Sequence, residues 1–226
     1  MIIWTHRGNP GPENTLDAFK QAWKDGICHF ETDIHATSDG VLVLAHDSNI
    51  RRLTGVDLEI QEITFKDLLN ESLCGLYKWC TLDELVHAFP AAQISIDIKS
   101  DPTLDAFFQW LKGRKIENFV VGSFSSKRVD AVRKKYPLVR TALTSREVLL
   151  ILTRMHFLID SHSAKRFAMI PVKSHGLRIL TKQFIKVCKS KEIEIFVWTV
   201  NSLDEAISLK ELGISGVVTD NYPVLL

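Results

Sequence analysis

The chain has 226 residues, of which 46% are hydrophobic and 24% charged, and its formal net charge is +1. That is enough chain to bury one sizeable core, and the charge gives no bias toward nucleic acid, polyanions or strongly acidic substrates. The longest apolar run, 148–152, is soon interrupted by Arg154 and His156; it is too short to span a bilayer, so a buried or interfacial helix is expected and no stable membrane insertion.

Met1 leads directly into IIWTHRG, without the basic stretch and long apolar core of a secretory leader, which predicts a cytoplasmic protein. A short strand over 2–5 is followed by His6-Arg7-Gly8 and a Pro/Gly-rich loop, 9–12, so polar chemistry sits just past a strand end. Glu13-Asn14-Thr15 offers an N-cap to a helix with Leu16, Phe19, Ala22 and Trp23 on one face, and Gly26 is placed to stop it. Strand, loop and helix make one β/α unit. The unit recurs, with further strands expected near 28–34, 94–98, 119–123, 139–143, 167–171, 194–199 and 215–219. Thr81-Leu-Asp-Glu84 and Ser202-Leu-Asp-Glu205 read as capping boxes, Asp101-Pro102 starts another helix, and Gly113 and Gly213 sit where helices end. These repeats predict an α/β fold, a closed (β/α)8 TIM-type barrel, as a single domain over 1–226.

Two departures interrupt the repeat. Between the second and third barrel strands the interval exceeds one crossover, so it must hold a small hairpin and loop insertion at about 35–80. It begins at the Ser38-Asp39-Gly40 turn, and a returning strand over 41–45 delivers His46-Asp47 back toward the end of strand two. At the C-terminus, Tyr222-Pro223-Val224-Leu225-Leu226 leaves no room for an eighth helix. The outer ring there has a gap, or the N-terminus or a partner chain covers it.

Barrels of this kind carry their sites at the C-terminal strand ends, and polar residues gather there. His6 and Arg7 end strand one, Glu31 and Asp33 lie toward the end of strand two, and Asp97 and Lys99 end strand three. Ser123 and Ser125 follow strand four, Trp198 and Asn201 end strand seven, and Asp220 ends strand eight. Alternation in an extended segment points Glu31 and Asp33 the same way, and Asp97 has matching parity. Three like charges together call for a cation, and carboxylate oxygens suit one hard divalent ion, Mg²⁺ or Ca²⁺. Arg7 offers a planar fork to phosphate and Lys99 a point charge that also tempers the carboxylates. His6 and His46 are candidates for general acid and base. Trp198 packs against substrate carbons or serves as barrel-top packing. His29, His35, His87, His156, His162 and His175 have only a structural or surface reading. Cys28, Cys74, Cys80 and Cys188 lack close CxxC spacing, which indicates reduced thiols rather than zinc or disulfides.

The runs HRG at 6–8, PENT at 12–15, FETDIHATSDG at 30–40, HD at 46–47 with Arg52 beyond, TLDEL at 81–85, IDIK at 96–99, and VWTVN and GVVTDNYP near the end together resemble the glycerophosphodiester phosphodiesterase family. The resemblance spans the chain in order. It implies a β/α barrel with one divalent cation that cleaves glycerophosphodiesters to sn-glycerol 3-phosphate and an alcohol. It further implies His6 and His46 as the acid/base pair, Glu31 and Asp33 as metal ligands, Arg7 and Lys99 as phosphate contacts, and the substrate's own 2-hydroxyl as nucleophile. The family usually has glutamate where this chain has Asp97, shorter by one methylene, which shifts the ion toward strand three, inserts a water there or changes the preferred ion. Cys80 stands where proline is usual, read as a loop change. Alternatives are a lysophospholipase D or sphingomyelinase D-like lipid phosphodiesterase, for which 148–158 would supply an apolar landing surface, and a non-catalytic binding barrel.

Overall fold

The structure, a computed structural model, describes residues 1–159 and 165–226; His162 lies outside the described residues. The strands are β1 Ile2–His6, β2 His29–Ala36, β3 Leu42–Leu44, β4 Gln93–Ile98, β5 Phe119–Gly122, β6 Arg140–Ala142, β7 Arg166–Ile170, β8 Lys173–Ser174, β9 Leu177–Arg178, β10 Glu194–Val197 and β11 Gly216–Thr219. The helices are α1 Leu16–Lys24, α2 Arg51–Thr54, α3 Phe65–Leu68, α4 Leu82–Ala88, α5 Asp101–Trp110, α6 Ser126–Lys135, α7 Ser145–Leu152, α8 Lys182–Ser190 and α9 Leu203–Glu211.

Parallel pairing runs β1–β2–β4–β5–β6–β7–β10–β11 and returns to β1, closing the predicted eight-stranded barrel. Alternation explains its layers. Phe30 and Ile34 of β2 and Ile94, Ile96 and Ile98 of β4 point outward and pack with Phe19 and Phe107 of the helices. A second outer cluster joins Ala168, Ile170 and Val197 to Phe184 and Leu209. Trp4, Val120, Phe167, Phe196 and Val218 fill the barrel interior, so the space beneath the strand ends is packed core and not a pore.

Local signals account for most helix ends. Thr15 caps α1 by accepting from Ala18 N, and Thr81 and Thr144 form full capping boxes on α4 and α7. The box expected at Ser202 does not form: Ser202 precedes α9 without a side-chain cap bond. Its side chain is exposed, so water can satisfy the first-turn amides, and Asp204 and Glu205 still complement the helix dipole.

The insertion folds back as expected. β3 pairs antiparallel with β2, Ile34 opposite Leu44 and Ala36 opposite Leu42. Past it the chain forms α2, a 3-10 turn at Ile60–Glu62 and α3, over a small core of Val43, Ile50, Ile60, Leu68, Leu73 and Trp79. At the C-terminus a 3-10 turn, Tyr222–Leu225, stands in place of the eighth helix. Tyr222 is buried in the same cluster as Phe19, and its hydroxyl donates to Asp25 Oδ2 at 2.7 Å. The chain's own end therefore closes the outer ring.

The apolar run 148–152 forms the second half of α7, with Ile151 buried and Leu149 exposed. α7 starts at the C-terminal end of β6 and runs toward the opposite end of the barrel, so 148–158 lies away from the strand ends that carry the polar cluster and cannot be the landing surface imagined for a lipid substrate. Among the described residues no helix is long and apolar enough to cross a membrane.

Candidate active site

Strand register assembles the site. In the parallel ladder Asp33 lies opposite Asp97, and His6 lies opposite Glu31. The residues after β1 turn sharply: Arg7 has a positive φ of 57°, its N–H donates to Glu31 O at 2.9 Å, and Asn14 N–H donates to Arg7 O at 2.7 Å. Gly8 follows at φ 82°, and a Cβ there would stand 2.8 Å from Ala18 Cβ, so only glycine lets this loop lie against α1. Across the mouth, Ala45 N–H donates to Asp33 O at 3.0 Å, which delivers His46 beside the carboxylates. Buried His35 contacts His46 O through Nε2 at 3.2 Å, and burial holds its pKa below the ordinary value. The contact steadies the segment that carries His46.

The charges form an alternating cluster. Lys99 Nζ stands 2.6 Å from Asp33 Oδ1 and 2.7 Å from Asp97 Oδ2, and Arg7 Nε stands 2.9 Å from Asp33 Oδ2. Burial lowers the Lys99 pKa, but Asp97 and Asp33 outweigh it and hold the ammonium above its ordinary value. Among the described residues no lysine or arginine pairs with Glu31, whose Oε2 lies 3.7 Å from His6 Nε2. Burial, then Asp33 and Asp97, push its carboxyl well above the usual range, against the weaker pull of Lys99 and Arg7. The predicted phosphate contacts thus carry carboxylates here: Lys99 bridges two aspartates, and Arg7 faces Asp33 with Glu13 3.7 Å away.

Among the described residues no three His, Cys, Asp or Glu side chains converge into a ready metal cage. The donor chemistry nevertheless fits a hard divalent ion. Glu31 Oε2 and Asp97 Oδ1 are buried acceptors without a hydrogen-bond partner, an arrangement that is costly until a cation arrives. The shorter Asp97 reaches the lysine with one oxygen and leaves the other unpaired.

Both candidate histidines are anchored on Nδ1 by a carboxylate. His6 Nδ1 lies 2.6 Å from Asp220 Oδ1, and His46 Nδ1 lies 2.7 Å from Asp47 Oδ1. Asp220 also accepts from Asn9 Nδ2 at 3.0 Å and Asn201 Nδ2 at 3.2 Å. Burial would raise the Asp220 pKa, but the bonds from His6 and Asn201 hold it below the ordinary range. Asp47 is likewise lowered, by Arg52 and His46 against burial, and Arg52 bridges Asp47 to Glu13. His6 Nε2 stands 3.7 Å from Glu31 Oε2.

In the sequence Asp220 and Asn201 stand only as strand-end polar groups, and Asp47, Arg52 and Glu13 carry no assigned role; their signal is the GVVTDNYP, VWTVN and PENT runs and HD with Arg52 beyond it. Trp198 is half-buried and packs on the barrel interior beside Phe196. Ser123 Oγ donates to Ile98 O at 2.6 Å and ties two loops. His29 stands at the opposite end of β2, its ring 5.0 Å from Trp4, and His87 and His156 lie on α4 and on the turn after α7.

Comparison with known proteins points one way. Residues 6–223 match the model of the glycerophosphoryl diester phosphodiesterase family. A probable glycerophosphodiester phosphodiesterase of Mycobacterium tuberculosis is 25% identical over 99% of this chain and 89% of its own length. A lysophospholipase D of Rattus norvegicus is 28% identical over 98% of this chain and 83% of its own. Among solved structures, a glycerophosphodiester phosphodiesterase of Thermotoga maritima superposes with a TM-score of 0.76 at 26% identity, covering 97% of this chain and 94% of that one. A phosphodiesterase of Oleispira antarctica, solved with the product sn-glycerol-3-phosphate, gives 0.80 at 19% identity over 100% and 95%.

Proposed function

The chain belongs to the glycerophosphoryl diester phosphodiesterase family, and on that premise we propose that it hydrolyses glycerophosphodiesters to sn-glycerol 3-phosphate and an alcohol. Glu31, Asp33 and Asp97 would hold one Mg²⁺ or Ca²⁺, which when bound supplies positive charge to the phosphate oxygens. The observation that carries the reading is the pair of anchored imidazoles. With Nδ1 held by Asp220 or Asp47, each ring keeps Nε2 as the nitrogen that trades protons, and each carboxylate fixes the orientation of its ring.

In the proposed reaction one histidine takes the proton from the substrate's 2-hydroxyl as its oxygen attacks phosphorus. The other gives its proton to the departing alkoxide oxygen. A cyclic phosphate results, and water opens it with the two histidines exchanging roles. Lys99 and Arg7, close to the carboxylates, would offer an ammonium and a planar guanidinium to the phosphate oxygens of a bound substrate.

A second reading, lysophospholipid cleavage at the same site, is favoured by the name of the rat relative. The non-catalytic barrel has no support beyond the shortened Asp97. The test is purified protein on glycerophosphocholine and on lysophosphatidylcholine, with and without EDTA, beside His46→Ala. Metal-dependent glycerol 3-phosphate release from the first substrate, lost in the variant, is expected. Absence of turnover with any divalent ion would sink the proposal, and preference for the lipid would favour the second reading.

A further inference from the structure

The β8–β9 hairpin stands between β7 and α8, at the end of the barrel that carries the carboxylates and histidines. His175 and Gly176 form its turn, both at positive φ, 47° and 78°, the geometry that suits a two-residue connection. In its register Lys173 lies directly opposite Arg178. Like charges facing across a ladder destabilise it; among the described residues no ion pair joins either cation to a carboxylate, and Arg178 Nε donates instead to Leu180 O at 3.1 Å. Leu177, opposite Ser174 on the other face of the hairpin, is 67% exposed. Phe124, on the loop after β5, is 72% exposed, and Leu203, the first residue of α9, is 48% exposed, so large apolar side chains and a like-charged cation pair share one end of the barrel.

We propose that this hairpin docks the enzyme on a phospholipid surface bearing anionic head groups, with Leu177 entering the acyl boundary and Lys173 and Arg178 meeting the head groups. The combination is what an interface needs: apolar side chains to bury and basic ones to meet negative lipid, their stems lying along the apolar layer. The inference rests on the reading of the site as cleaving a glycerol-linked phosphodiester, and adds to it the lipid surface at which that site would meet substrate. A second copy of this chain fits less well, since a two-fold contact would set the cation pair against itself. A soluble anion would explain the cations but not the exposed leucine. A separate exposed apolar set, Leu138, Phe157 and Leu158, sits at the far end of the barrel, where a bound membrane would be turned away from the site.

The experiment is co-sedimentation of the full chain with phosphatidylcholine vesicles, with and without phosphatidylserine, for wild type, Lys173→Gln/Arg178→Gln and Leu177→Asp. The wild type should sediment with the phosphatidylserine vesicles and much less with pure phosphatidylcholine. Two basic residues near such a surface correspond to roughly thirtyfold in partitioning, so the double variant should lose binding to about that extent, and Leu177→Asp should lose binding as well. Turnover of lysophosphatidylcholine held in the vesicles should fall with it, while glycerophosphocholine turnover stays unchanged. Failure of the wild type to sediment, or equal sedimentation by the variants, would overturn the proposal. So would a raised KM for glycerophosphocholine with sedimentation intact, which assigns the cations to soluble substrate. If vesicle binding depends on the hairpin but no phosphodiester is cleaved, docking stands and the reading of the site falls.

Discussion

Asp220 Oδ1 stands 2.6 Å from His6 Nδ1, across 214 residues of sequence, because β11 and β1 are neighbours in the closed barrel and end at the same level. The carboxylate selects the tautomer with hydrogen on Nδ1 and leaves Nε2 on the carboxylate side of the mouth, where Glu31 lies. Asp220→Asn keeps the shape and removes the charge. It should lower kcat by about 10²–10⁴-fold, the range for a misassigned acid/base group, with KM for glycerophosphocholine little changed. The alkaline and acid limbs of the pH–rate profile should shift as well, which a merely structural role for Asp220 would not produce.

Glu31 gives the metal-free protein a pH signature. Burial, then Asp33 and Asp97, raise its folded pKa well above the ordinary 4.5, so the folded state binds this proton more tightly than the unfolded chain. The contribution to stability is full below about 4.5 and is lost as pH rises through the raised folded value. In EDTA the melting temperature should fall from weakly acid toward neutral and alkaline pH, and Glu31→Gln should flatten that slope. Mg²⁺ or Ca²⁺ should stabilise wild type more at the higher pH. Parallel calorimetric profiles for wild type and variant would remove Glu31 as the cause.

Lys99 makes a complementary case. Its ammonium bridges Asp33 and Asp97, and its side chain is only 14% exposed. Lys99→Met leaves Asp33 with Arg7 and removes the ammonium from Asp97, and breaking a buried pair by removing one partner costs about 3–5 kcal/mol. Urea titration in EDTA should show a loss of that order. Added divalent cation should recover part of it, because a second positive charge becomes available to the same oxygens; Lys99→Arg should lose less.

How much of this was legible in the sequence follows from the range of each signal. The barrel, its strands and the facing of Glu31, Asp33 and Asp97 come from period and parity, which local residues carry. The return of His46 followed from the Asp39-Gly40 turn. Lys99 as a bridge between Asp33 and Asp97 was only half visible, since its tempering role was foreseen but parity does not say which way a long side chain folds. The Asp220–His6 pair was not visible as a contact, because barrel closure joins the first and last strands and no local pattern records it. The Ser202 box failed for the opposite reason: the motif is present, and exposure removes the need for it.

Four thiols test the packing of the outer layer. Cys28 and Cys74 are exposed, while Cys80 and Cys188 are buried, and burial pushes the pKa of each of the buried pair up to about 12. A disulfide reagent at neutral pH should therefore titrate two thiols in the native protein and all four in guanidinium. Cys80 bonds to no charged partner that would activate it; its Sγ donates to Thr81 O at 3.4 Å. Rapid native labelling of Cys80 would mean that the segment leading into α4 opens far more readily than its burial implies.

Tyr222 replaces a helix. At 2% exposure it is among the largest fully buried side chains, and it joins the cluster of Phe19, Phe30 and Ile27. The barrel's outer ring is otherwise unfilled between α9 and α1, so removing the ring leaves a cavity that no neighbouring helix can slide in to close. Tyr222→Ala should cost about 3–5 kcal/mol, as for other buried aromatic truncations. Tyr222→Phe keeps the ring and loses only the hydroxyl bond to Asp25, so it should be far milder. Burial and Asp25 hold the phenol above its ordinary pKa, so the hydroxyl stays protonated, and the wild-type advantage over Tyr222→Phe should persist through neutral pH. It should shrink as acid protonates Asp25, whose own pKa is lowered by Tyr222 and then Gln21. Denaturant titrations of the three proteins at neutral and acid pH separate the ring's packing from the hydroxyl's bond: a Tyr222→Ala loss no larger than that of Tyr222→Phe would show that the C-terminal turn does not close the barrel.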